Sequence, residues 1–488
     1  MYKIKKLLGD YMKHLQFYIN GAWSLPKNKH DSISVIDPST ESSVAEVYMA
    51  SRADVDLAVQ AASESLYSWS QTSLEDRIDM MEKFLKEYNK RYDDVAKAIS
   101  TEMGAPIDMS HEIQTETVIG HTEVTIAEIK SMSMEEDNGP HAKLIREPVG
   151  VCVLITPWNW PVNQVVCKVV PALLAGCTVI LKPSELTPLS AQIYAECMDL
   201  AGFPDGVFNM IHGDGPTIGP DLTSHPLVDM VSFTGSARAG IQVAKSAADT
   251  IKRVTQELGG KSANIIFADS DLQAMVEQGV EECLFNSGQS CDAPTRMLVE
   301  QSVYDDAVRY ATNAVNSIQL GSAHDSGDHL GPVVSELQWQ KIQKLIGVGI
   351  EEGATLTVGG LGKPSNHQKG YFVKPTLFTD VNNQMRIAQE EIFGPVLVMI
   401  PFTTESEAID IANDSPYGLG AYVATSDMEK ARRVSRLLKS GTVHINGVAQ
   451  EYCTPFGGYK QSGNGREYGS YGIHEFQEIK AINGYYAD

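Results

Sequence analysis

VGVCVLITPWNWPVNQVVCKVVPALLAGCTVILKPSE, residues 149–185, is the stretch from which the rest of the chain is read. Val149 to Ile155 is short and rich in β-branched residues, which predicts a strand. Val162 to Ala175 is long enough for a helix, and Thr178 to Lys182 is again strand-like. The alternation continues outward. Pro188 to Ala201 reads as a helix, Val207 to Ile211 and Val228 to Phe233 as strands, Ala237 to Ala248 as a helix, and Ile251 to Thr255 as a strand. Strands alternating with helices predict an α/β fold with a parallel sheet, which binds ligands at the carboxyl ends of its strands. A second alternation from about Asn264 to Ser440, with helices at Leu272 to Phe285, Val303 to Ser317 and Glu336 to Glu352, predicts a second α/β domain. Ala53 to Tyr67 and Leu74 to Met103 carry apolar residues at helical spacing. Lys143 to Glu147 and Ile473 to Ile482 read as strands without a local partner. The latter follows Gly463, Gly465, Gly469 and Gly472, and pairs either across a subunit interface or as an edge within the chain.

With 488 residues, 43% of them hydrophobic, the chain is long enough for two to four domains. Its 62 acidic against 39 basic residues give a net charge of −23, which disfavours nucleic acid and anionic membrane surfaces as partners. The longest weakly polar run, Val169 to Leu181, is interrupted by Pro171 and Gly176 and falls short of the roughly 20 residues of a membrane span. Lys3, Lys5 and Lys6 precede Gly9 and Asp10, which break the apolar stretch a secretory leader needs, so a cytoplasmic protein is expected. Seven scattered cysteines without a CxxC pair imply neither a disulfide framework nor a zinc site, and no metal is expected.

Five short segments carry candidate chemistry. A cysteine is most often a small buried hydrophobe. Cys291, however, ends FNSGQSC (285–291), where Gly288 and polar neighbours after a helix suit an accessible nucleophile. Glu257 opens ELGGKS (257–262) at a strand's carboxyl end; alone it reads as a loop acid or helix cap. In TPWNWP (156–161) two prolines stiffen the turn and preorganise the Asn159 amide as an oxyanion donor. KPSE (182–185) offers Lys182 and Glu185 to ribose hydroxyls, and the helix opening after Gly235 offers its N-terminus to a pyrophosphate. Gly213, Gly215 and Gly219 only loosely match a GxGxxG fingerprint, a pattern that is usually just a turn.

TPWNWP, KPSE, SFTGS, ELGGKS, FNSGQSC, EEIFGPV and PFGGYKQSGNGRE follow one another in the order and spacing of the NAD(P)-dependent aldehyde dehydrogenase superfamily, which the chain resembles from about Leu15 to Ile482. The resemblance implies a Rossmann-like cofactor domain in two parts (1–132 and 149–258) and an α/β catalytic domain (259–446) with a return and substrate loop (447–471). It also implies a small β oligomerisation flap (133–148 and 472–488) and a homodimer or homotetramer. It further implies Cys291 as nucleophile, Glu257 as general base, and Asn159 with the Cys291 N–H as oxyanion donors. NAD, with NADP as an alternative, would be held by Thr156, Trp158, Lys182, Ser184, Glu185, Gly215, Gly235, Ser236, Leu258, Glu391 and Phe393. The aldehyde channel would be lined by Trp160, Gln164, Cys167, Phe285, Ser290, Asp292 and Glu451. Lys168 and Glu467 match a proton-relay pair, for which a plain salt bridge is the competing reading.

The reaction expected is addition of the Cys291 thiolate to an aldehyde, hydride loss from the thiohemiacetal, and hydrolysis of the thioester by water activated at Glu257. Three rivals compete. A CoA-acylating dehydrogenase generally lacks the Glu257 equivalent. A cofactor-free cysteine hydrolase leaves Lys182, Glu185 and Phe393 without a role, and a non-catalytic relative would be expected to have lost the thiol or the base. Asp292, the short Cys167 and a loop Val448 to Thr454 one residue shorter depart from the common pattern; Asp292 either faces the channel or caps a nearby helix. No expected channel residue is cationic, so neutral or cationic aldehydes are expected over carboxylate-bearing semialdehydes, unless Lys168 or Arg296 turns inward. Because the resemblance begins just after Met12, translation from Met12 is a further expectation.

Overall fold

The computed structural model describes residues 15–28 and 31–486, so the Met12 start lies outside the described residues. An eight-stranded sheet has a parallel centre in the order Arg253–Glu257, Met230–Thr234, Val151–Ile155, Thr178–Lys182, Phe208–Met210. Gly463–Asn464 closes one edge antiparallel, and the hairpin Phe17–Ile19 and Ala22–Ser24 closes the other. The chain moves outward on one side of Val151–Ile155 and then returns to its opposite side. A crevice therefore opens between Val151–Ile155 and Met230–Thr234 at their carboxyl ends.

The strand starts differ from expectation for local reasons. Gly150 holds φ +130°, and a Cβ there would lie 2.0 Å from Asp229 Oδ2, which accepts the Val151 N–H; the strand begins only after that turn. Ile251 has φ +55° and ends a helical turn, so the strand predicted at Ile251 to Thr255 runs instead from Arg253 to Glu257. Glu257 is therefore its last residue, in register with Thr234 and Gly463.

The second sheet has seven strands in the order Thr355–Val358, Thr376–Thr379, Val396–Phe402, Arg296–Glu300, Ala263–Ile266, Gly420–Ala424, Thr442–Ile445, all parallel except the first. Successive residues face opposite layers. Ile265, Leu298 and Val398 pack under Glu336–Glu351, while Ile266, Met297 and Met399 pack under Leu272–Leu284 and Tyr304–Ser317.

Three expectations are corrected. The helical run Leu74 to Met103 is two helices, Leu74–Lys90 and Tyr92–Met103, broken at Arg91, whose guanidinium is drawn to Asp94 and Glu196. The segment Ile473 to Ile482 starts as the helix Gly469–Glu475, because Ile473 and Phe476 anchor in the core; the strand is Gln477–Asn483. It pairs within the chain, antiparallel to Ala142–Pro148. Ala142–Pro148 does have a local partner, Glu135–Asn138. Three consecutive acids and an Asn do not read as a strand, but Lys143 and Arg146 across the ladder neutralise Glu135 and Glu136. Among the described residues no helix is long and apolar enough to cross a membrane.

Candidate active site

Four strand ends and one loop meet at the crevice. After Ile155 the TPWNWP turn leads into the helix Pro161–Ala175, in which every residue is buried, so its polar side chains must find partners inside the protein. Asn159 donates from Nδ2 to the Gln289 carbonyl at 2.9 Å, and Asn286 Nδ2 donates to the Asn159 carbonyl at 3.0 Å. These two bonds lock the TPWNWP and FNSGQSC segments together. An amide nitrogen carries two hydrogens, so Asn159 keeps a second donor. Trp160 Nε1 donates to Ser290 Oγ at 3.0 Å and its ring faces Phe285, with centroids 6.0 Å apart. Asn286 and Ser287 sit at φ +54° and +55°, and a Cβ on Gly288 would lie 2.1 Å from the Gly394 carbonyl. Such backbone outliers persist only where the surroundings hold them, and they cluster at functional sites. Cys291 follows this loop, deep in the molecule yet with part of its surface open. Burial, then the Asp292 carboxylate, pushes its thiol well above the usual range.

Glu257 is buried and neither carboxylate oxygen has a hydrogen-bond partner. Burial first, and the Glu467 carboxylate second, push its pKa well above the ordinary range, against the pull of Lys168 and Arg466. The two glycines after it explain the spacing of ELGGKS. A Cβ on Gly259 would lie 2.6 Å from Glu391 Oε1, and one on Gly260 would lie 2.3 Å from the Cys291 carbonyl. Gly260 also donates its N–H to Glu391 Oε1 at 3.0 Å. Only a side chain of hydrogen lets the backbone that follows Glu257 pass between the Glu391 carboxylate and the Cys291 carbonyl. On the far side, a Cβ on Gly457 would come within 2.6 Å of Glu257 Oε1. Lys168 donates to Thr234 Oγ1 at 2.7 Å and pairs with Glu467, so this pair is a buried salt bridge. No hydrogen bond joins it to Glu257, and Glu467 Oε2 is without a partner.

The residues expected around the cofactor lie at the same crevice. Lys182 Nζ is 3.5 Å from Glu185 Oε2 and donates to the Pro183 carbonyl at 3.0 Å. Ser184 Oγ accepts from Leu186 N, and Ser236 Oγ caps the helix Ala237–Ala247 through Ala239 N. Gly235 donates its N–H to the Glu257 carbonyl, and Leu258 donates to the Ser462 carbonyl. Phe393, at φ +60°, presents its ring edge-on to Trp158 at 5.3 Å. The Thr156 hydroxyl is buried without a partner. Gly215 opens the helix Gly215–Thr223, where the Asp214 carboxylate accepts from the Thr217 N–H at 2.6 Å.

In the expected channel, Gln164 is buried with Oε1 unpartnered, and Cys167 Sγ lies 3.7 Å from Asn163 Oδ1. Among the described residues the Asp292 carboxylate caps no helix start, and the Asp292 carbonyl accepts from the Tyr422 hydroxyl at 3.4 Å. Glu451 is exposed and closes a turn with Cys453 and Thr454. Its neighbour Tyr452, also exposed, lays its ring over Gly120, where a Cβ would lie 2.2 Å from it. Neither nearby cation enters the channel. Lys168 is paired, and Arg296 donates to Asn383 Oδ1 and to the carbonyls of Lys261, Ile411 and Ala412. Sequence reading missed His121, Asn163, Tyr452 and Tyr468. The available signals were a glycine, Gly120, beside a histidine, and the spacing of Asn163, Gln164, Cys167 and Lys168, which share one helix face.

The family profile described as "Aldehyde dehydrogenase family" matches residues 24–482. The chain is 49% identical over 471 residues to 3-succinoylsemialdehyde-pyridine dehydrogenase from a Pseudomonas species, covering 96% of this chain and 98% of that protein. It is similar to the crystal structure of an aldehyde dehydrogenase from Bartonella henselae, with TM-score 0.95 and 50% identity, covering 97% of this chain and all of the other. It is also similar to a Cys-to-Ala mutant of aldehyde dehydrogenase C from Pseudomonas syringae in complex with NAD+ and octanal, with TM-score 0.96, 46% identity and 97% of each chain covered.

Proposed function

Because this chain belongs to the aldehyde dehydrogenase family, we propose that it oxidises an aldehyde to the carboxylic acid with NAD+, using Cys291 as nucleophile and Glu257 as general base. The observation that carries this reading is a partly open Cys291 thiol within electrostatic reach of Glu257, a buried carboxylate whose two oxygens have no partner.

The residues at the crevice fit the cofactor: Thr156 holds an orphaned hydroxyl there, Glu391 accepts the Gly260 N–H, and a capped helix opens at Ser236. Glu185 and Lys182 would take the adenosine ribose hydroxyls, and Glu391 and Phe393 the nicotinamide ribose. NAD+ is preferred over NADP+, since the Glu185 carboxylate repels a 2′-phosphate. When bound, NAD+ supplies the hydride acceptor.

The protein's own residues then do the following. The deprotonated Cys291 Sγ bonds to the aldehyde carbon, and the carbonyl electron pair moves onto oxygen, where the second Asn159 N–H and the Cys291 N–H receive it. Loss of hydride from that carbon leaves an acyl thioester on Cys291. Glu257 takes a proton from water, whose oxygen attacks the thioester, and the carbon–sulfur bond breaks to release the acid and the thiol. The raised Glu257 pKa suits a group that must take up a proton and give it back.

With Lys168 and Arg296 both engaged, and no other cation placed in the channel among the described residues, neutral aldehydes are favoured over carboxylate-bearing ones; octanal and a pyridine-bearing semialdehyde, named for the relatives, accord with this. We assign 133–148 and 472–488, which contribute the three-stranded sheet, to a homodimer or homotetramer contact. The free thiols suit the cytoplasm. Cys291→Ala is expected to abolish NADH formation from aldehydes while NAD+ still binds by calorimetry. Glu257→Gln is expected to give a burst of NADH stoichiometric with enzyme before a slow steady state. Turnover of Cys291→Ala within about tenfold of wild type, or uniformly slow turnover without a burst in Glu257→Gln, would overturn these roles.

A further inference from the structure

The segment Gly213-Asp214-Gly215, which by sequence reads as a turn, lies at the cofactor crevice. The strands Thr178–Lys182 and Phe208–Met210 run parallel, with Leu181 opposite Met210 and the Ile211 N–H donating to the Leu181 carbonyl. Lys182 and Ile211 therefore end the two strands side by side, and the turn that begins at His212 leaves the sheet beside Lys182. Lys182 is buried, so few charges reach it. Glu185 Oε2 lies 3.5 Å from its ammonium, and the Asp214 carboxylate is the second acid that acts on it; both oppose burial, which pushes Lys182 down.

Asp214 is half-buried and fixed in place, its Oδ1 accepting the Thr217 N–H at 2.6 Å as the N-cap of the nine-residue helix Gly215–Thr223. That carboxylate sits on the positive end of the helix, where a phosphate would otherwise find free amides. The helix itself carries no basic residue, and its other acid, Asp221, lies 4.0 Å from Arg52 Nη1. His212 is buried, with Nε2 3.4 Å from Gln192 Oε1. Burial first, and Lys182 second, push it down to about 3, so it brings no positive charge. Two carboxylates thus act on one ammonium at this corner of the crevice.

We propose that Asp214 is a second determinant of dinucleotide choice, acting with Glu185 to exclude a 2′-phosphorylated adenosine. Glu185 reads the ribose hydroxyls; Asp214 withholds from a phosphate both the helix amides and part of the Lys182 charge. An uncharged hydroxyl loses little by this, whereas a phosphate carries roughly −1.5 to −2 at neutral pH and is repelled. The inference rests on the reading of Lys182 and Glu185 as adenosine ribose contacts, which its test keeps separate.

Calorimetry measures Kd for ADP-ribose and for ADP-ribose 2′-phosphate, which need no turnover, in the wild type, Asp214→Asn and Asp221→Asn. Asparagine still accepts at an N-cap, so Asp214→Asn removes the charge and keeps the helix start. The wild type should bind ADP-ribose more tightly than its 2′-phosphate. Asp214→Asn should tighten the 2′-phosphate by about five- to tenfold and leave ADP-ribose within about twofold. That gain should shrink as salt rises. Asp221→Asn, the same change of charge farther along the helix, should move neither. An unchanged Kd for the 2′-phosphate in Asp214→Asn, an equal gain for both ligands, or an equal gain in Asp221→Asn overturns the role of Asp214. A wild type that binds the 2′-phosphate as tightly as ADP-ribose, or binds neither, overturns instead the reading of Glu185 and Lys182 on which it stands.

Discussion

A nucleophile flanked by a negative charge is harder to ionise, and Asp292 places one beside Cys291. After burial, its carboxylate is the largest cause raising the thiol. Asp292 is itself raised by burial, with His444 pulling the other way. The thiolate is the reactive form, so a raised pKa means that activity is gained only as pH rises through it. Asp292→Asn removes the charge and lowers the thiol pKa. The acid limb of kcat/KM, and of iodoacetamide inactivation, should therefore move to lower pH, by the same amount in both assays. A limb that stays in place would show that Asp292 does not act on the thiol. The identity of this residue was plain in the chain. That it contacts Tyr422 through its carbonyl and caps nothing was not, because those relations cross 130 residues.

Among the elements, the helix Pro188–Ala201 shows how a start signal can sit elsewhere in the chain. Pro188 marks the first turn, but Thr187 makes no capping hydrogen bond. Its role falls to Glu102, at the end of Tyr92–Met103, which accepts from Leu189 N, Ser190 N and Ser190 Oγ while fully buried. Glu102→Ala would orphan two buried amides and cost about 2–4 kcal/mol. Its melting temperature, read by calorimetry, should fall by several degrees, whereas Glu102→Gln, which keeps an acceptor, should lose less. Equal losses would mean that packing, not capping, holds the contact. Helices and strands with clear periodicity, such as Thr178–Lys182 and Leu272–Leu284, were legible from the chain; the break at Arg91 and the acidic strand Glu135–Asn138 were not, because partners distant in sequence or across a ladder decide them.

Across the whole molecule, Asp37 at the end of Ser32–Asp37 meets His324 from the loop after Tyr304–Ser317, Oδ2 to Nε2 at 2.9 Å, tying the N-terminal hairpin to the catalytic half. The Asp37 hydrogen bond raises His324. Burial alone would raise Asp37, but the bonds from His324, Thr40 and Ser39 outweigh it and hold it low. The raised histidine contributes stability that is full below its unfolded pKa and lost as pH rises through the folded one. The lowered aspartate contributes stability above its unfolded pKa that is lost as pH falls. The pair is thus strongest in mildly acidic solution. Between about pH 5.5 and about pH 8.5 the wild type should lose more melting temperature than His324→Gln; parallel curves would place the contribution elsewhere. By itself the sequence determined the alternation of strands and helices and the order of the motifs, because both are written in local periodicity and in short segments whose glycines and prolines constrain the backbone nearby. Only the tertiary structure decided that Lys168 is paired with Glu467, that Tyr452 rather than Glu451 covers Gly120, and that Gly259 and Gly260 let the chain pass between Glu391 and the Cys291 carbonyl. Each of these is a contact between segments far apart in the chain, set by packing and charge pairing that no local pattern encodes.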